Sequence, residues 1–182
     1  AQGISKLRHD HAAFESWTGK SVAGFKPALP NSGVGAVSVI GSGKEKVVWV
    51  GTDGGIALLR PEKRPHWLTT FPGASASMVW TLCRDDGDRV WFTDETNLGI
   101  IDSSGKNLPE GFPAYQPIDL GNGQSGHVSL IPFSLNRYCS FSKFKSGSQT
   151  QSAMCFSGES AISCWIDNKR HDFTAMNGVP KA

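Results

Sequence analysis

The chain has 182 residues, 38% of them hydrophobic and 19% charged, with a formal net charge of +2. That describes one ordinary domain, or two small ones, with enough apolar side chains for a core. A charge so close to zero supplies no broad field for nucleic acid, and no stretch approaches the roughly 20 apolar residues of a membrane helix, so neither nucleic-acid binding nor membrane insertion is expected.

Residues 1–35 read as an N-terminal segment with a short helix and an edge strand. Ser5 to Trp17 is the best helical window in the chain, with Leu7, Ala12, Phe14 and Trp17 roughly in phase. The Ala1-Gln2 start fits the mature end left by signal cleavage. His9-Asp10-His11 sets two imidazoles on one side of an extended segment, for which surface histidines near a terminus are the simpler reading.

From Gly33 onward, short runs rich in Val, Ile, Trp, Phe and Thr alternate with turn clusters, which is the pattern of strands. Laid over itself at an offset of 42 residues, the chain repeats. Ala36 to Ile40 falls on Met78 to Leu82, and Val48-Trp49-Val50 on Val90-Trp91-Phe92. A Thr-Asp pair follows each tryptophan (Thr52-Asp53, Thr93-Asp94), then a third strand (Ile56 to Leu59, Leu98 to Asp102). Phe-Pro closes each unit, at Phe71-Pro72 and Phe112-Pro113, and His66 to Phe71 suits a fourth, outer strand.

One small sheet exposes two flat faces and cannot dry both, so such units must stack on one another. The expected class is therefore all-β, with propeller-like stacked four-stranded antiparallel sheets; the alternative is a β-sandwich. Residues 36–116 hold two repeats, with the tryptophan of each second strand filling the space between sheets.

Residues 117–182 read as degenerate repeats or a small disulfide-containing all-β region. His127 to Phe133 and Arg137 to Phe141 suit the first strands of a third unit, with Tyr138 in the tryptophan place. Ser152 to Phe156 and Ser160 to Ile166 suit a fourth, and Lys145 to Ser152 reads as a loop. Of the four cysteines, Cys83, Cys139, Cys155 and Cys164, three crowd the C-terminal part. Three pairings are open, and Cys155 and Cys164 suit a stapled hairpin; four buried thiols are the alternative. A disulfide-containing chain belongs outside the reducing cytosol, secreted or periplasmic.

Trp67 to Pro113, with its Asp-Gly-Asp-Arg-Val-Trp-Phe-Thr-Asp, resembles a blade of the streptogramin-lyase-like proteins. Val47 to Ile56 is similar to the repeat of the propeller sensor domains of two-component regulators, with its Trp-x-Gly-Thr-x-x-Gly core. The likeness spans residues 36–113 and implies a propeller. Such rings hold about seven blades, whereas this chain holds four at most at about 40 residues each. Either the chain makes a small ring, or copies associate to complete one as a homo-oligomer, or the likeness is local. The lyase family's catalytic His and Glu have no match here.

In a propeller the ligand face is made by the loops beside the inner strands. That face would carry Asp53, Asp94, Glu95 and Asn97, with Trp49 and Trp91 behind them, which suits a carbohydrate: hydroxyls take hydrogen bonds and the sugar face stacks on a ring. The plainer reading of Asp53 and Asp94 is turn capping. Asp85, Asp86 and Asp88 crowd three carboxylates together, as a calcium loop does, although a tight hairpin turn explains them equally and no cofactor is otherwise implied.

His127, His171 and Asp172 are the candidates for acid-base catalysis, with no spacing that requires it. Gly41-Ser42-Gly43-Lys44 lacks the upstream glycine of a phosphate loop. The function expected is an exported ligand-binding module recognising a carbohydrate or protein partner, more a binder than an enzyme. The alternatives are a His/Asp hydrolase or lyase, and a viral or bacterial adhesion or assembly domain.

Overall fold

The computed structural model describes residues 4–7, 14–17, 33–40, 46–60, 65–72, 74–75, 77–133, 138–157 and 161–174. His9-Asp10-His11 and Gly41 to Lys44 lie outside them. All regular structure among the described residues is β-strand. Strands β1 (Ile4–Leu7) and β2 (Phe14–Trp17) pair antiparallel, Ile4 opposite Trp17. They replace the helix expected over Ser5 to Trp17. Phe14-Glu15-Ser16-Trp17 places its apolar residues at the two ends of a four-residue run and never completes a helical stripe.

The first sheet is a meander of β3 (Val34–Ile40), β4 (Val47–Thr52), β5 (Gly55–Leu59) and β6 (His66–Leu68). A short pair follows, β7 (Thr70–Phe71) with β8 (Ala74–Ser75). The second sheet holds β9 (Thr81–Arg84), β10 (Val90–Thr93), β11 (Asn97–Asp102), β12 (Gln116–Gly121) and β13 (Gln124–Pro132), in the spatial order β12-β13-β11-β10-β9. The third is a meander of β14 (Tyr138–Ser146), β15 (Gln149–Ser157), β16 (Ala161–Ile166) and β17 (Lys169–Thr174).

The C-terminal region thus differs from the sequence expectation. His127 to Phe133 completes the second sheet rather than opening a third, because β13 pairs with β11 from Asn97↔Pro132 to Asp102↔His127. The strands read as a fourth unit, β15 and β16, belong to the third sheet. Tyr138 is exposed and takes no tryptophan place. Lys145 to Ser152 is no loop: β14 and β15 pair to Ser146↔Gln149 around a turn at Gly147, whose φ of 63° favours glycine. Its Ser, Thr and Gln residues stand on strands open to solvent.

The repeat holds in register where it matters. Trp49 pairs with Leu58 and Trp91 with Ile100, and Val50 with Ala57 where Phe92 pairs with Gly99. The first strands slip, since Trp49 faces Ser38 across β3 but Trp91 faces Cys83 across β9. The 42-residue offset therefore describes the second and third strands and not the first.

Because side chains alternate across a strand, each sheet has two faces, here called front (toward the following sheet) and back. Trp49, Ile56 and Leu58 form the front of the first sheet; they meet Leu82, Val90, Phe92, Ile101 and Val128 from the back of the second. One repeat later Trp91, Leu98 and Ile100 form the front of the second sheet and meet Met154, Phe156 and Trp165 of the third. The Phe-Pro phenylalanines follow the same rule: Phe71 stacks on Phe92 at 5.0 Å between the first two sheets, and Phe112 meets Trp91 at 5.7 Å between the next two. Strand β9 lies beside both β3 and β14, so the first strands of the three sheets run side by side. Among the described residues these three sheets stand in succession and form no closed ring.

Two disulfides fix this stack. Cys155–Cys164 staples directly opposed residues of β15 and β16, and Cys83–Cys139 ties β9 to β14 across the second and third sheets. Disulfides form and persist in oxidising surroundings, which points to an extracellular or similarly oxidising setting. No helix among the described residues is long and apolar enough to cross a membrane. By chain entropy the Cys83–Cys139 bridge, 56 residues apart, stabilises by about 4 kcal/mol and the nine-residue Cys155–Cys164 bridge by about 2.5 kcal/mol.

Phe92 occupies the space above Gly99, where a Cβ would run into its ring and lie 2.8 Å from Leu130. The first sheet fills the equivalent space with Val50 and Ala57. Gly99→Ala is therefore expected to cost about 1–3 kcal/mol in denaturant unfolding. Pairing it with Phe92→Val is expected to recover part of that loss, and a Gly99→Ala protein as stable as the parent would contradict the packing.

Candidate functional site

The hairpin joining β9 to β10 is organised by a single carboxylate. Asp85, 4% exposed, accepts hydrogen bonds from the backbone N–H of Gly87 (2.9 Å) and Arg89 (3.1 Å) at Oδ1. At Oδ2 it accepts from Arg89 Nε (2.6 Å) and Trp91 Nε1 (2.8 Å). Arg89 then reaches Asn107 O at 2.9 Å and lies over the Trp91 ring at 5.8 Å. The turn itself needs Asp88 at φ 62°, a conformation that Asp tolerates better than most residues. The three carboxylates proposed for calcium are thus directed elsewhere: Asp85 inward, Asp86 to Lys143 at 3.4 Å, and Asp88 to Arg84. Among the described residues no group of three His, Cys, Asp or Glu side chains is placed to hold a metal.

Opposite this hairpin stands the turn between β16 and β17, where Asp167 and Asn168 both take positive φ (48° and 67°), the two-residue hairpin geometry. Asp167 is tied to Ser152 by two bonds, N–H to Ser152 O at 3.0 Å and Oδ1 from Ser152 N at 3.2 Å. Glu110, from the loop after β11, clips the two sheets together. Its N–H donates to Asn168 O at 2.8 Å, its carbonyl accepts from Trp165 Nε1 at 2.9 Å, and its carboxylate accepts from Arg170 N at 3.1 Å.

Between the two hairpins lies a cleft of about 200 Å³. Asp85, Asp86 and Arg89 line it from the second sheet, Ser152, Asp167 and Asn168 from the third, and Trp91, Trp165, Phe141 and Met154 form its floor. The Trp91 and Trp165 rings, 5.4 Å apart, are almost wholly buried. The cleft offers carboxylates, an amide, a hydroxyl and a guanidinium around a rigid apolar floor, which is directional hydrogen bonding on a fixed base.

This cleft lies at the opposite end of the sheets from the expected ligand face. That face is structural. Asp94, 1% exposed, accepts at Oδ1 from Thr96 N, Asn97 N and Asn97 Nδ2 at 2.9, 2.7 and 3.1 Å, so it caps the β10–β11 turn and holds Asn97 in place. Trp49 and Trp91 are packed between sheets and offer no face for a sugar to stack on. Asp53 and Glu95 remain exposed on equivalent turns. Residues 77–80 run between those turns, bonding Val79 N to Thr52 O at 3.0 Å and Trp80 N to Thr93 O at 2.8 Å.

The catalytic candidates are divided between faces, His171 standing apart from His127 and Asp172. His127 lies on the front of the second sheet, its ring 6.1 Å from that of Tyr115. His171 pairs with Cys164, on the face of the third sheet turned away from the second, while Asp172 pairs with Ser163 on the other face. Burial raises the Asp172 carboxyl, but hydrogen bonds from Ser163 and Arg170 hold it below the ordinary carboxylate range.

Arg89, Ser152, Asp167 and Asn168 were missed from sequence. Only Ile166-Asp167-Asn168-Lys169 carried a signal, as a hairpin turn. The chain matches no family model and no curated protein.

Tyr115 packs beside this network with its hydroxyl buried and unpartnered. Burial, with the nearby Asp102 carboxylate, pushes its phenol up to about 12 against the partial offset of Arg89. A raised phenol pKa favours the protonated form in the folded state, so its contribution is complete below pH ~10 and is lost as pH rises toward 12. Of the two tyrosines, Tyr115→Phe is expected to remove the titration step near pH 12 in tyrosinate absorbance. A step that survives the substitution would contradict its placement.

Proposed function

We propose that the protein is an exported, secreted or periplasmic, ligand-binding module that holds a small carbohydrate-like ligand in the cleft between its second and third sheets. The observation that carries this reading is the ring of Asp86, Arg89, Ser152, Asp167 and Asn168 around a buried apolar floor. Its volume is below the roughly 300–1,000 Å³ of sites for drug-sized molecules, which suits one sugar ring or a terminal group. The donors and acceptors stand on two tight hairpins fixed by Glu110 and by Cys83–Cys139, so little entropy is lost in ordering them on binding.

The propeller-like arrangement is part of the same proposal. Its support is the register-equivalent packing of Trp49 and Trp91 and the side-by-side first strands β3, β9 and β14. A module held by covalent staples and offering a polar cleft suits recognition at a cell surface or in the periplasm.

The test is calorimetric titration or saturation-transfer NMR against a panel of monosaccharides. Binding by at least one sugar is expected, with affinity falling 10-fold or more, about 1.4 kcal/mol, in Asp86→Ala and in Asn168→Gly, which keeps a residue suited to the positive φ of that turn, while thermal stability is unchanged. Absence of binding across the panel, or binding indifferent to both substitutions, would contradict the proposal.

A further inference from the structure

Five large hydrophobic side chains are exposed among the described residues: Val37 (47%), Val39 (43%), Tyr138 (73%), Phe144 (40%) and Phe173 (38%). Strand pairing places all five on the two outward faces of the stack. Val37 and Val39 pair with Val50 and Val48, so they stand on the back of the first sheet. Tyr138 and Phe144 alternate with Cys139 and Phe141, which meet the second sheet, and so they stand on the front of the third. Phe173 pairs with Ile162 on that same front. No large hydrophobic residue among those described is exposed on the inward faces.

These positions continue the interface already made twice inside the chain. Between the first and second sheets, Ala36 and Ile40 on the front of β3 pack into the core that holds Leu82 on the back of β9. Between the second and third, Cys83 on the front of β9 is bonded to Cys139 on the back of β14. Continued by one step, the front of β14, with Tyr138 and Phe144, would receive the back of another first strand. The chain has one such strand, β3, and its back presents Val37 and Val39. Over β4 and β5 the same back is already closed, with Val50 and Ala57 fully buried, so the open part is confined to the inner strand.

We infer that a second copy of this chain docks head to tail, its β3 against the front of β14, so that two copies close a ring of six sheets. Each copy contributes one face of either kind, and both contacts form at once. This ring size falls within the four to eight sheets around which propellers close. Closure hides the exposed side chains of β3 and β14, whereas a single head-to-tail contact would leave a growing filament.

The experiment is sedimentation velocity on the intact, oxidised protein, with Val39→Lys and Tyr138→Lys as variants. Both substitutions are at exposed positions, and circular dichroism with cooperative melting verifies their fold; Val37→Lys and Phe144→Lys serve if either fails. The parent is expected to sediment at twice the 19.5 kDa chain mass with no larger species as concentration rises. Each variant alone is expected to be monomeric or at least 10-fold weaker in self-association. A one-to-one mixture is expected to restore a dimer, because each variant keeps the face the other lacks. A monomeric parent, a Val39→Lys protein that still dimerises, a ladder of growing oligomers, or a mixture that stays monomeric would each overturn the inference.

Discussion

A four-stranded sheet of this size has two flat faces and cannot keep both from water, and every larger feature of the molecule follows from how those faces are covered. Trp49 covers the first gap and Trp91 the second, each on the second strand of its sheet and each with two aliphatic partners from the third strand. Side chains on successive positions point to opposite faces, so that a sheet can offer a tryptophan to one neighbour and receive the next. Phe92 over Gly99 and Val50 beside Ala57 are two solutions to the same volume.

The same packing decides where a ligand can and cannot go. A ring spent on drying an interface is not available as a platform, and a carboxylate spent on capping a turn is not available to a hydroxyl. Trp91 illustrates both halves: its ring fills the gap between sheets while its N–H is consumed by Asp85. Polar groups free to meet solvent then remain where two hairpins from different sheets come within reach of each other, held there by Glu110 and by the Cys83–Cys139 bridge.

Much of the fold was legible in the sequence because β4–β5 and β10–β11 repeat with the same spacing and the same residue types. What the repeat could not reveal is of three kinds. The slip of β9 relative to β3 leaves the strand pattern intact while changing every pairing. The assignment of β12 and β13 to the second sheet depends on long-range pairing, to which local periodicity is blind. The cleft joins Asp86 and Arg89 to Asp167 and Asn168, some 80 residues away along the chain, and the bridge that fixes it spans 56. The helix read over Ser5 to Trp17 rested on a loose phase, which strand pairing overrode.

The central claim is that equivalent tryptophans carry equivalent loads in one cooperative stack. Guanidinium unfolding of the oxidised protein and of its Trp49→Ala and Trp91→Ala forms measures this directly. Each substitution is expected to cost about 3–5 kcal/mol, with all structure lost in a single transition. A Trp49→Ala protein that unfolds with parental stability, or separate transitions for successive sheets, would contradict it.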